Sequence, residues 1–256
     1  MKVLSLGWGV QSWTLAAMAA LGEIEVDLVI HSDTTFEREE TYKFATEWTP
    51  WLESHNIKVV TVCDERATHI MKLSSKSGNH YTLMPIFTLD EDGKRGQLRR
   101  QCTSRWKIEP LHRYLRQNYH DKHVEMLLGI SVDEWARAKD STVDWITHVY
   151  PLLDKNMSRV DCLTWLRNHD LPSPGKSACV QCPYHSTQVW QDMKRIGGPD
   201  WDNAVVADEE LRRDGRQWYL HTKRMPLVQA VEISEDYGYE QLGLIDAECD
   251  SGFCFL

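Results

Sequence analysis

The sequence predicts an α/β fold, a parallel twisted sheet with helices on both faces, followed by a smaller and mostly helical C-terminal lobe. Three observations predict it. Short apolar runs alternate with helical stretches through the first 150 residues, the pattern of a parallel sheet whose crossovers are helices. The turns that join them carry Gly, Ser, Thr and Asp, the residues that punctuate such units. From about Pro151 the character changes: Trp, His, Pro and Cys cluster, and strands can no longer be recognised. The expected division is 1–150 for the α/β unit and 151–256 for the lobe.

The elements follow in order. Residues 2–6 (KVLSL) form an apolar run, a Gly-containing turn follows, and a helix runs from Ser12 to Leu21, closed by Gly22. A second run, Val26 to Ile30, leads through His31-Ser32-Asp33-Thr34-Thr35 into a helix from about Glu37 to Ser54. The β–α pattern repeats at Ile57 to Val62, and a fourth strand is predicted at Val124 to Ile130. Ligands of such sheets lie beyond the carboxyl ends of the strands, so the turns after Leu6, Ile30 and Ile130 are expected to share one cleft. The tail from Asp246 to Leu256 reads as an extended arm.

Length and composition bound the function. A chain of 256 residues, 42% of them hydrophobic, can bury one substantial core and a smaller appended one. Its opening segment is too polar and Gly-punctuated for a membrane span and lacks the marks of a signal peptide, so a cytoplasmic protein with no membrane partner is expected. Seven cysteines in such a chain read as thiols, metal ligands or catalysts before they read as disulfides. A formal net charge of −9 disfavours a protein that coats nucleic acid without specificity. One basic stretch, Lys94, Arg95, Arg99, Arg100, Arg105, Lys107, Arg113 and Arg116, is either a solvated face or an anion-binding one.

Ser5-Leu6-Gly7-Trp8-Gly9-Val10-Gln11-Ser12 joins the first strand to the first helix. Glycines there let backbone N–H groups approach an anion, the helix N-terminus adds partial positive charge, and the Ser12 hydroxyl is a further donor. A plain tight turn is the alternative. Trp8 stands out, because a large ring in such a loop either stacks on a base or plugs the cleft. Trp48, Trp51, Trp165 and Trp190 sit in amphipathic patterns and are expected to pack in cores.

The window Gly7-Trp8-Gly9-Val10-Gln11-Ser12 resembles the pyrophosphate loop of the adenine-nucleotide α-hydrolase superfamily, commonly Ser-Gly-Gly-x-Asp-Ser. Gln11 stands where that family has Asp, which turns attention to Asp33 as the acidic group for magnesium. Ser32-Asp33-Thr34-Thr35-Phe36-Glu37 with Glu40-Thr41 is similar to the Asp-Thr-Gly…Pro-Glu-Thr element of phosphoadenosine-phosphosulfate reductases, and it is equally a sound helix start. Gly129-Ile130-Ser131-Val132-Asp133-Glu134 with Arg137 is similar to their Gly-Val-Arg…Glu-Ser…Arg segment, with Ser131 in place of the Arg and Trp135 in place of the Ser. Tyr150-Pro151-Leu152-Leu153-Asp154, Asp161 to Leu166 and His169 to Pro172 resemble the stretch that precedes the reductases' CxxC. The resemblance implies an adenine nucleotide α-hydrolase-like fold that binds ATP or a relative with magnesium. Ser5, Gly7, Trp8, Gly9, Gln11, Ser12, Ser32, Asp33, Gly129 and Arg137 are then the cofactor-binding residues, with Asp33 also catalytic.

Cys179-Val180-Gln181-Cys182 is a CxxC, able to bind a metal or to form a redox disulfide. Cys102, within Arg100 to Leu111, resembles the Cys-Cys…Lys-x-x-Pro-Leu segment of cluster-bearing adenylylsulfate reductases, with Thr103 in place of the second cysteine. The resemblance implies a [4Fe–4S] cluster on Cys102, Cys179, Cys182 and a fourth ligand, with zinc as the alternative metal. Cys254 is the expected fourth ligand, His185 another candidate, and Cys249, after Glu248, the expected mobile catalytic thiol. On this reading the tail folds back over the cleft. Lys176 is placed to offset cluster or substrate charge, whereas Cys63 and Cys162 read as core fillers.

Two functions are in contention. One is an enzyme of sulfur chemistry, either an oxidoreductase acting on a sulfonucleotide or an ATP-dependent sulfurtransferase. It would use an unidentified sulfur or electron donor, and a nucleic acid is one class of acceptor. The other is a non-catalytic, zinc-stabilised module that binds a nucleotide or nucleic acid.

Overall fold

A computed structural model describes residues 1–64, 73–74 and 80–235. Along the chain, β1 (Lys2–Ser5), α1 (Val10–Ala20), β2 (Leu28–Asp33), α2 (Glu39–Ser54) and β3 (Val59–Cys63) come first. The short strands β4 (Leu73–Ser74), β5 (His80–Tyr81), β6 (Phe87–Leu89) and β7 (Arg95–Gln97) follow. A π-helical turn (Thr103–Ile108) runs into α3 (Glu109–Asn118), and then come β8 (Val124–Leu127), a 3-10 turn (Val132–Arg137) and β9 (Ile146–Val149). The remainder is α4 (Pro151–Asp154), α5 (Arg159–Asn168), α6 (Thr187–Ile196), α7 (Pro199–Arg212), β10 (Trp218–Tyr219) and α8 (Leu227–Glu235).

The main sheet has five strands in the order β3-β2-β1-β8-β9, and every pairing is parallel. Its faces are set by the period-2 alternation of strand side chains. Leu4, Val29 and Leu127 point into one core with Trp13, Leu15 and Met18 of α1, Leu52 of α2, and Cys162 and Leu166 of α5. Val3, Leu28, Ile30 and Met126 point to the other face, against Leu111 and Leu115 of α3. Burial on both sides explains why these strands read as continuous apolar runs. The predicted fold class is observed, with β9 as a strand that the sequence did not disclose.

A third core lies to one side. It joins Leu83, Met84, Ile86 and Trp106 to Val180, Trp190, Met193, Ala207, Leu211, Leu220 and Val231, beside a three-stranded antiparallel sheet of order β10-β6-β7. The appended layer thus begins at Leu83 and resumes at Val180. The helices just after Pro151 pack on the main sheet instead, since α5 lies against α1. Trp48, Trp51, Trp165 and Trp190 pack in cores as expected. No helix among the described residues is long and apolar enough to cross a membrane. The tail residues Glu248, Cys249 and Cys254 lie outside the described residues.

Candidate functional site

The strand order places a topological switch between β1 and β8. From β1 the chain moves to β2 and β3 on one side, and it later returns to β8 and β9 on the other. Loops at such a point part to opposite faces and leave a crevice beyond the strand ends. A pocket lies there, enclosing about 80 Å³. It is walled by Ser5, Gly7, Gly9, Gln11 and Ser12 after β1, by Gly129 and Ile130 after β8, and by Glu134, Arg137 and Arg159. Gly175, Lys176 and Ser177 cover it as a strap.

The loop after β1 is held by short polar contacts. Leu6 N–H donates to the Ile30 carbonyl at 2.9 Å, and the Leu6 carbonyl meets His31 Nδ1 at 2.9 Å. The Ser12 hydroxyl accepts from Gly7 N–H and donates to the Gly9 carbonyl, each at 3.2 Å. It therefore braces the loop, and in this arrangement its proton does not point at the pocket. No side chain caps α1, whose N-cap is Gly9. The first-turn N–H groups thus face the pocket with the positive end of the helix dipole. By contrast α5 is closed by a capping box of Ser158 and Asp161.

Two glycines have unequal parts. A Cβ on Gly129 would stand 2.8 Å from Ser12 N and 3.1 Å from Gln11 C, so only glycine lets the β8 loop lie this close to the start of α1. A Cβ on Gly9 would meet only Ser177 Cβ, at an ordinary 3.5 Å. The strap is fixed on both sides: the Ser177 hydroxyl donates to the Gly7 carbonyl, and Gly175 lies against the Glu40 carboxylate.

The charged wall combines Lys176 with two arginines. Arg137 Nη1 donates to Glu134 Oε2 at 2.7 Å with both side chains buried, and Arg159 Nη1 donates to Gln11 Oε1 at 3.2 Å. Burial pushes the Glu134 carboxyl above the ordinary carboxylate value, although Arg137 and Arg159 pull the other way.

Three expected cofactor-binding residues lie elsewhere. Trp8 takes a left-handed φ of 56° and buries its ring against Trp13, Phe44 and His31. It is a core residue, and its ring neither stacks in the cleft nor plugs it. The Ser32 hydroxyl donates to the Trp106 carbonyl at 2.9 Å. Asp33 Oδ1 accepts from Thr35 N–H at 2.7 Å and Tyr42 O–H at 2.8 Å, which secures the turn into α2, and the residue does not line the pocket. The third expected loop is thus outside the crevice, because β2 lies on the far side of β1 from the switch.

The end of β2 is a sealed polar cluster. Glu37 and Lys107 form an ion pair of 3.2 Å with both side chains buried. Thr34 Oγ1 donates to Glu37 Oε1 at 3.0 Å and stands 3.4 Å from Cys179 Sγ. Burial raises the Glu37 carboxyl, but Lys107, His31 and Thr34 outweigh it and the net direction is downward. The basic stretch therefore does not act as one face. Lys107 is buried, Arg105 pairs with Glu109 at 2.9 Å, and Arg116 lies 4.5 Å from the Trp145 ring centre.

Cys182 N–H donates to the Cys179 carbonyl at 3.1 Å, a tight turn, and Cys179 Sγ faces Thr34 and Glu37. Cys102 is drawn to the appended core by its N–H bond to the Leu83 carbonyl at 2.8 Å. Among the described residues no group of three or more His, Cys, Asp or Glu side chains is disposed to hold a metal ion. In the expected reading the set Cys102, Cys179 and Cys182 is completed by Cys254, which lies outside the described residues. So does Cys249, the expected catalytic thiol. His185 Nε2 meets the Cys179 carbonyl at 2.8 Å, and burial pushes its imidazole down to about 4. Cys162 is fully buried in α5 with its thiol pushed up to about 11, consistent with a core filler.

The sequence matches no protein-family model and no curated protein. Among solved structures, the chain is similar to a phosphoadenylyl-sulfate (PAPS) reductase from Candida auris in complex with phosphate. The identity is 11% and the TM-score 0.46, over 70% of this chain and 80% of that one. It is also similar to the U34-tRNA thiolase NcsA from Methanococcus maripaludis with its [4Fe–4S] cluster, at 11% identity and a TM-score of 0.43, over 96% of this chain and 77% of that one. The fold is a doubly wound α/β sheet. At such remote similarity, the chain's own geometry carries the functional reading. Arg159, Gly175 and Ser177 are pocket residues that sequence reasoning missed. Ser158-x-x-Asp161 was a legible helix-start signal that would have placed Arg159 at a helix N-terminus.

Proposed function

We propose that the chain binds ATP with its phosphates in the β1/β8 crevice and activates an acceptor by adenylation for sulfur insertion. The observation that carries this reading is the pocket itself. The uncapped N-terminus of α1, the close approach at Gly129, and Lys176 and Arg159 converge where a parallel sheet presents its ligand site. In the reaction an acceptor oxygen attacks the α-phosphorus, the bond to the bridging oxygen breaks, and pyrophosphate leaves with the electron pair. Sulfide then attacks the activated carbon through its sulfur, the carbon–oxygen bond to AMP breaks, and AMP departs with the electron pair. The N–H groups of α1 and the Lys176 ammonium take up charge that grows on the leaving pyrophosphate.

One further feature supports sulfur transfer over sulfonucleotide reduction. Ser131, where the resembled reductases carry Arg, is fully buried and donates to Asp133 Oδ2 at 3.3 Å, so no guanidinium there reads a sulfate. The test is incubation of the full chain with ATP labelled at the α-phosphate, with sulfide as donor and a bulk transfer-RNA fraction as acceptor. Release of AMP and pyrophosphate is expected. Sulfite formation from phosphoadenylyl sulfate, without ATP cleavage, would make the protein a reductase, and absence of nucleotide binding would overturn both readings.

A further inference from the structure

We infer that the crevice holds the nucleotide's phosphates without a divalent cation and that Arg159 takes the cation's place, an inference that rests on the reading of the crevice as a nucleotide-phosphate site. Magnesium demands a near-octahedral shell of oxygens, to which a protein contributes carboxylates. The crevice offers little of this. Glu134 is the one carboxylate among the described residues that line it, against three cations, Arg137, Arg159 and Lys176. Glu134 is already committed, since its Oε2 accepts from Arg137 Nη1 at 2.7 Å with both side chains buried. Gln11 is neutral, in the first turn of α1 where the resembled loop carries Asp, and its Oε1 accepts from Arg159 Nη1 at 3.2 Å. Asp33 does not line the crevice and braces the turn into α2. The donor set therefore does not fit magnesium, whose double charge would enter a wall that is already cationic.

Arg159 is held in place through its backbone. It opens α5 behind the capping box of Ser158 and Asp161, and its N–H donates to Asp133 Oδ2 at 2.6 Å. That bond ties the start of α5 to the segment after β8, and the side chain reaches from there to Gln11 at the start of α1. The guanidinium thus bridges elements from both sides of the switch and lines the crevice between them.

A guanidinium keeps its charge at any working pH, and it has more N–H donors than the single bond to Gln11 uses. Those that remain match phosphate oxygens in a planar fork, which a point-like ammonium cannot do. With Lys176 on the strap, the phosphates meet fixed positive charge that comes from the chain itself.

The test is calorimetry of the full chain with inorganic pyrophosphate, in EDTA and again in excess magnesium, for the natural sequence, Arg159→Ala and Gln11→Asp. The natural chain is expected to bind in EDTA at least as tightly as in magnesium. Arg159→Ala keeps the backbone bond to Asp133 and is expected to weaken binding in EDTA by about tenfold or more. Gln11→Asp puts an acid in a helix first turn, where it suits the fold. It is expected to bind poorly in EDTA and to regain affinity in magnesium, because the new carboxylate occupies Arg159 and supplies the metal with an oxygen ligand. Binding of the natural chain only in magnesium, an unchanged affinity for Arg159→Ala in EDTA, or full affinity for Gln11→Asp in EDTA would each overturn the inference and leave the phosphate site standing. No pyrophosphate binding under either condition would remove the site itself.

Discussion

The carboxyl ends of β1 and β2 are adjacent in the same sheet, yet they have opposite characters. At β1, beside the switch to β8, the backbone is open: α1 has no side-chain cap, and glycine at 129 brings a second loop alongside. At β2 the corresponding groups are consumed internally. Ser32 bonds Trp106, Asp33 braces the turn into α2, and Glu37 is neutralised by Lys107. The residue types at β2 look at least as catalytic as those at β1. What separates the two ends is topology, because only at the switch do successive loops part and leave backbone donors for a ligand. On the proposed reading β1/β8 is the binding end and β2 the buttress.

The largest expected effect comes from closing the open end. Gly129→Val drives a side chain into the backbone of Gln11 and Ser12, which cannot yield without displacing α1. Pyrophosphate binding is expected to vanish in calorimetry, and stability to fall by about 1–3 kcal/mol in denaturant unfolding. Gly9→Ala, with an ordinary contact, is expected to bind nearly as the natural chain does. Equal effects at the two glycines would mean that the close approach at Gly129 does not shape the pocket.

Next in size is breaking the buttress. Glu37→Gln leaves the buried Lys107 without its carboxylate, expected to cost about 3–5 kcal/mol. Because the Glu37 carboxyl is held below its ordinary value, its contribution is complete above the unfolded-state value and is lost as pH falls through the lower, folded one. Acid unfolding curves should therefore differ between the two proteins at neutral pH and converge in acid. Pyrophosphate affinity of the folded variant should hold, and its loss would join two ends that the structure separates.

How far these regions were legible in the sequence follows the same division. The β1 strand, its glycine loop, α1, β2, α2 and β3 were readable because each is a local pattern, an apolar run or a helix period closed by a turn. Gly7, Gly9, Gln11, Ser12, Gly129 and Arg137 were placed in the pocket by motif resemblance, and they line it. β9 escaped because it is a four-residue edge strand with only Ile146 buried, and β6, β7 and β10 are shorter still. Lys107 was read as one charge in a basic stretch because nothing local discloses that it meets Glu37, 70 positions away in the chain. The contacts of Trp8 and Asp33 were hidden for a related reason: their partners, Trp13 with Phe44 and Tyr42 with Thr35, are supplied by the folding of α1 and α2 around them.

A smaller effect sharpens the electrostatics of the open end. The Glu134 carboxyl is held above its ordinary value by burial, so as pH falls it takes up its proton before an ordinary carboxyl does, removing a negative charge from the pocket wall. Affinity for sulfate, an anion that does not itself titrate there, is expected to rise severalfold over that range and to stay flat in Glu134→Gln. A falling affinity would place the anion away from Glu134.

The most direct test of the central claim is amide hydrogen exchange of the full chain with and without inorganic pyrophosphate. Binding at the β1/β8 crevice predicts new protection of the N–H groups of residues 9–12 and 129–131, with residues 33–37 at the end of β2 unchanged. Protection confined to 33–37, or none at 9–12 under saturating pyrophosphate, would contradict the account.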